Sequence, residues 1–164
     1  MKRWHYYALI GFIFGLLDWF YLDWLARSVG PNLGENPLIV IPIIVAMNYG
    51  IWLIPIIPVT FFEARKSADV RCTGLAGILT WCCAIFSYYL FYWILLSMGK
   101  LVHWEHLYIF GVRYDGFWKE YGQMFWRIIL SQFLEWLPIA VIGGGLVGMI
   151  AWRLFRNRNN SEHA

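Results

Sequence analysis

Residues 6–26 read YYALIGFIFGLLDWFYLDWLA, an apolar run broken only by the carboxylates Asp18 and Asp23. As a helix rising about 1.5 Å per residue, the run is roughly 30 Å long, the thickness of a bilayer's hydrocarbon core. Gly11, Gly15, Asp18 and Leu22 recur at four- and three-residue steps and so share one stripe. The Gly11–Gly15 pair is a small-xxx-small surface on which a second helix can approach closely. Asp18 on that stripe is therefore expected to face a partner helix, which the rest of the chain must supply.

Composition extends this reading to the whole molecule. Of 164 residues, 60% are hydrophobic, 20% aromatic and only 14% charged, with mean hydropathy +0.55. A soluble domain carries about a quarter charged residues, so this chain lacks the polar surface needed to cover itself in water. The length suits one domain. The net charge of +3 is small and its basic residues form no run, which excludes a nucleic-acid-binding footprint. Cys72, Cys82 and Cys83 form no disulfide framework, and the adjacent pair lies in an apolar run where cysteine packs as a small hydrophobe. The N-terminal MKRWHYY imitates a signal peptide. The following run is too long for one and carries no small-residue cleavage site, so an uncleaved first helix is expected.

The expected fold is all-α, an integral membrane helical bundle forming a single transmembrane domain over residues 1–156. Its four transmembrane helices lie near residues 6–26, 38–62, 74–98 and 126–154. Gly30, Pro31, Gly34 and Pro37 mark the first loop, and residues 63–71 (EARKSADVR) read as a polar loop. The second span holds Asn48 and Gly50 near its middle and Pro55 and Pro58 beyond, so it is kinked or broken, or re-entrant at 48–50. Residues 99–124 are too polar to span. Within them Phe117, Trp118 and Tyr121 recur toward Phe125 and Ile128, as in an amphipathic helix on the membrane interface. Gly144 and Gly148 form a second GxxxG, and residues 157–164 read as a disordered tail. Eight Lys/Arg fall on the amino-terminal side of such a bundle against five on the other, which places both termini in the cytoplasm of a cell membrane protein.

The same spacing assigns depths. Asp18 comes out roughly 12 Å below the outer boundary and Glu135 at a similar depth on the last span. Asn48, Ser87 and Gln132 fall in or near the same slab. No Lys, Arg or His occupies the centre of any span. A carboxylate placed there faces the bundle interior or a cavity and is either protonated or holds a cation. The expected site is an acidic, outward-facing pocket of Asp18, Glu135, Gln132, Asn48 and Ser87. Trp19, Tyr88 and Trp136 would be its cation–π walls, and its ligand a proton, a metal ion or a cationic solute. The plainer alternative is a neutral, hydrogen-bonded clasp between Asp18 and Glu135.

His103 and His106 flank Glu105 in HWEH, yet no third or fourth ligand follows at metal-binding spacing. No P-loop, nucleophile elbow, zinc-protease motif or dinucleotide fingerprint occurs. No cofactor, resident metal or catalytic residue is therefore expected. Three functions follow in order: a small carrier or cation-binding membrane subunit, a non-catalytic subunit or assembly factor of a larger complex, and a lipid-modifying enzyme. Gly11/Gly15 and Gly144/Gly148 are the surfaces expected to take an oligomeric or subunit partner in the bilayer.

Overall fold

The computed structural model describes residues 2–28, 37–67, 69–98 and 117–161, which are helical but for short connections. Helix α1 spans Lys2–Ser28. The second apolar stretch forms α2 (Pro37–Tyr49), one 3₁₀ turn (Gly50–Trp52) and α3 (Leu53–Lys66). This is the expected break, and its position has a local cause. The Pro55 ring lacks an N–H and crowds the carbonyl four residues earlier, on Ile51, inside the 3₁₀ turn. The α-helical ladder loses a hydrogen bond at that point.

Two boundaries differ from expectation. Residues 63–66 belong to α3 instead of a loop, and Glu63 is completely buried. The connection is confined to the few residues between Lys66 and Val70. There the Asp69 side chain caps α4 (Val70–Ser97) by accepting the Arg71 amide at 2.9 Å. At the other end, α5 (Phe117–Met124) does not stand apart as a separate interfacial helix. It passes through a π-helical segment (Phe125–Leu130) directly into α6 (Ser131–Ser161). Tyr121 ties this segment to the end of α4, accepting from Trp93 Nε1 at 2.7 Å and sharing a 2.6 Å hydrogen bond with Ser97. Helix α6 also runs through Ser161, into the expected disordered tail.

Helix α4 is the axis of the bundle, with α1 and α6 packed on it and α3 filling the space beside all three. Gly11 abuts Thr80 and Cys83 while Gly15 abuts Ala84 and Ser87, so α1 and α4 run parallel. Gly77 meets Gly144 and Gly74 meets Gly148, so α6 returns antiparallel. Tyr7 reaches Glu63 and Phe14 reaches Trp52, so α3 is antiparallel to α1. The topology is up-down-up-down with α2–α3 as one interrupted limb. Among the described residues, four helical stretches are long and apolar enough to cross a membrane: Arg3–Leu22, Ile41–Lys66, Val70–Ser97 and Tyr121–Arg156. The core is aromatic, built on Trp52, Ile56, Ile85, Tyr88, Tyr92 and Leu96.

Both GxxxG pairs are consumed inside the chain. A methyl at Gly15 would collide with the Ala84 carbonyl and the Ser87 hydroxyl, and one at Gly148 with Thr73 and Gly74 backbone. The expectation that these glycines receive a separate subunit is corrected: α4, rich in small residues, already occupies them.

Candidate functional site

Asp18 faces α4, as its place on the Gly11–Gly15 stripe requires, and is 1% exposed. One turn below it Gly15 touches Ser87, which sets Asp18 at the level of Tyr88. Neither Asp18 oxygen accepts a hydrogen bond among the described residues. Ser87 cannot answer it, because its hydroxyl donates at 2.9 Å to the Ala84 carbonyl of its own helix. A second orphan, the hydroxyl of fully buried Tyr92, lies one turn beyond Tyr88. Each buried polar group without a partner costs about 1–3 kcal/mol. Trp81 Nε1 and Glu63 Oε1, at other levels of the bundle, also lack a hydrogen bond among the described residues. Asp18 is the carboxylate with both oxygens unbonded, and that marks a place where something polar is missing.

Glu135 is on the wrong side of the molecule to be that partner. Phe133 packs edge-on against Tyr89 at 6.0 Å, so this part of α6 shares the level of Asp18. The Glu135 side chain itself is exposed and accepts from the Ser131 hydroxyl at 3.1 Å. The two positions thus share a level along α4, whereas the expected meeting of the two acids does not occur. Helical phase is the reason: α4 and α3 lie between α1 and α6, and Glu135 sits on the outer face of its helix. Neither the two-carboxylate pocket nor the Asp18–Glu135 clasp forms. Gln132 is half-buried near Glu135, and the Asn48 side chain lies outside what the structure describes, as do His103 and His106.

The aromatic side chains expected as walls pack on one another and on their neighbours. Trp19 packs edge-on with Phe20 and Phe91, at 5.1 and 5.3 Å. Tyr88 stacks edge-on against Tyr89 at 5.2 Å and Trp52 at 6.3 Å, and Trp136 reaches Trp52 at 6.3 Å. Trp52 joins Tyr88, Trp136 and Phe14, and sequence reasoning missed it. Its signal was its position at the proline break, where the 3₁₀ turn changes helical phase and turns the indole inward. Among the described residues, no three His, Cys, Asp or Glu side chains come together as a metal cage.

A second buried carboxylate, Glu63, lies where the sequence alone suggests a loop. Glu63 accepts from the Tyr7 hydroxyl at 2.6 Å and pairs with Arg3 at 3.2 Å, tying α3 to the start of α1. The signal for it was the tyrosine on α1, whose hydroxyl needs a partner when its ring is buried. Asp18 and Glu63 therefore differ in kind: one acid is neutralised and bonded, the other has neither.

No family model, no curated protein and no solved structure matches this chain.

Proposed function

We propose that the protein is a multi-pass membrane protein of the cell membrane, with both termini cytoplasmic, that binds a proton or a small organic cation at Asp18. The observation that carries the reading is the burial of the Asp18 carboxylate with both oxygens unbonded among the described residues. An acid in that position stays protonated or takes up a cation. With no cluster of three His, Cys, Asp or Glu among the described residues, and with Tyr88 at its level packed on Trp52, Asp18 suits a proton or an organic cation better than a multidentate metal ion. Exposed Leu9, Ile13, Leu17, Ile142, Leu146 and Ile150 on α1 and α6 support a bilayer setting, because a surface of that kind is poorly tolerated in water. The carrier or cation-binding subunit reading ranks first on this basis.

Glu135 favours a second reading, that of a subunit in a larger membrane complex. An exposed carboxylate on a helix otherwise coated with Leu134, Ile139 and Ile142 is costly against lipid and inexpensive against a partner helix offering a donor. The lipid-enzyme alternative needs Asp18 and Glu135 beside His103 and His106, and those two histidines lie outside the described residues.

The test is tryptophan fluorescence of the purified protein titrated with acid, sodium and tetramethylammonium, for wild type and Asp18→Asn. A saturable response in wild type that disappears in a folded Asp18→Asn supports binding at Asp18. Identical titrations of the two proteins overturn it. A stoichiometric protein partner that is lost on Glu135→Gln moves the balance to the subunit reading.

A further inference from the structure

Between α1 and α3, at the end where Arg3 meets Glu63, lies a groove of about 540 Å³. It is within the range of roughly 300–1,000 Å³ typical of ligand sites. Tyr6, Tyr7, Ile10, Pro58, Val59 and Phe62 form its walls, and Arg3 is the one charged residue that lines it among the described residues. Three features fix what it can hold. The walls are hydrocarbon and aromatic, so the body of the ligand is apolar. Tyr6, Ile10 and Phe62 are 63%, 42% and 49% exposed, so the groove opens sideways to the surroundings of the bundle and not to its interior. Its charged end is cationic. Arg3 is 42% exposed, and the Lys66 ammonium stands 5.8 Å from the centre of the Phe62 ring on the opposite wall. Glu63, the acid between them, is fully buried and points inward to Tyr7. Its contact to one Arg3 nitrogen fixes the guanidinium while leaving its other donors free to project outward.

We infer that this groove is a binding site for an anionic glycerophospholipid, with an acyl chain between α1 and α3 and the headgroup phosphate between Arg3 and Lys66. The inference rests on the membrane reading proposed above but is independent of Asp18. A zwitterionic lipid fits the apolar walls equally well, so the two cations set the headgroup preference.

The experiment is lipid retention by native mass spectrometry. The full chain is extracted from membranes, purified in detergent and offered equal amounts of phosphatidylglycerol and phosphatidylcholine. A basic side chain near a phosphate is worth roughly a fivefold preference. Wild type is expected to retain phosphatidylglycerol over phosphatidylcholine, with Arg3→Gln and Lys66→Gln each losing about fivefold of that preference and Arg3→Lys keeping it. Lys66→Gln leaves the Arg3–Glu63 pair intact, so its effect is not a folding defect. Ile10→Trp fills the groove and is expected to lower retention of both lipids. Equal retention of the two lipids by wild type overturns the site, as does a preference untouched by Lys66→Gln or retention untouched by Ile10→Trp. Recovery of the chain in the soluble fraction defeats the membrane reading itself, before any lipid is counted.

Discussion

Gly144 and Gly145 are neighbours on α6, and the seam between α4 and α6 makes opposite demands on them. A Cβ at Gly144 would lie 2.8 Å from the carbonyl carbon and oxygen of Gly77 and from the amide nitrogen of Ile78. These are backbone atoms of a packed helix, so no rotamer change relieves the collision. Moving the contact to 3.4 Å, where ordinary van der Waals contact begins, separates the helices by about 0.6 Å at that point. A gap of that size forfeits about a quarter to a half of each dispersion contact along the seam. Overpacking of this kind costs about 1–3 kcal/mol, against a gain of about 1 kcal/mol for alanine over glycine inside a helix. The net expectation for Gly144→Ala is a loss of up to about 2 kcal/mol, a fall of up to roughly 8 °C in unfolding midpoint for a chain this long. At Gly145 the added methyl would meet only the Ile78 side chain, at 3.7 and 4.0 Å. Gly145→Ala is therefore expected to match or exceed wild type. Thermal melts of the purified variants, followed by circular dichroism, decide the matter. A Gly144→Ala midpoint at or above wild type, or a Gly145→Ala midpoint equally depressed, would refute this account of the seam.

Other consequences are as direct. Tyr7→Phe removes a hydrogen bond to a buried carboxylate and is expected to cost about 1.5–3 kcal/mol, read by the same melts. No change would mean that Glu63 is held by Arg3 alone. Arg3→Ala, which leaves the Glu63 carboxylate buried without its cation, should destabilise more than the double variant Arg3→Ala/Glu63→Gln; the reverse order would refute the pairing. Asp18→Leu replaces a buried, unbonded acid by a side chain of similar size and should hold or raise the midpoint while abolishing the cation response. A clear fall in stability would identify Asp18 as a structural clasp. Pro55→Ala restores an amide and removes the crowding of the Ile51 carbonyl, so amide exchange at Trp52 and Leu53 should slow as the 3₁₀ turn becomes α-helical. Unchanged exchange would place the cause of the break elsewhere.

The one-dimensional pattern carried most of the architecture. Hydrophobic length located four membrane-length helices, and proline spacing placed the interruption of the second within a few residues. Those properties depend on local backbone geometry and on the energy of apolar surface, which each segment expresses without reference to its neighbours. The rise per residue was sufficient, too, to put Asp18 and the Glu135 region at one level. Azimuth was not legible. Whether Glu135 points inward depends on how α6 rotates about its axis, and that rotation is set by the Gly77–Gly144 and Gly74–Gly148 contacts together with the π-helical segment before Ser131. Likewise, a charged run at a helix end reads as a loop until a tyrosine and an arginine on another helix surround it, as happens to Glu63.

By itself, then, the sequence determined that the chain makes long apolar helices, where the second one breaks, and that Asp18 must lie against another helix. Only the tertiary structure decided which helix that is, that Asp18 lacks a partner among the described residues while Glu63 has two, and that Glu135 looks outward. The division follows from the physics: hydrophobicity and helical periodicity are properties of one segment, whereas the pairing of buried charges is a property of how several segments are rotated against one another.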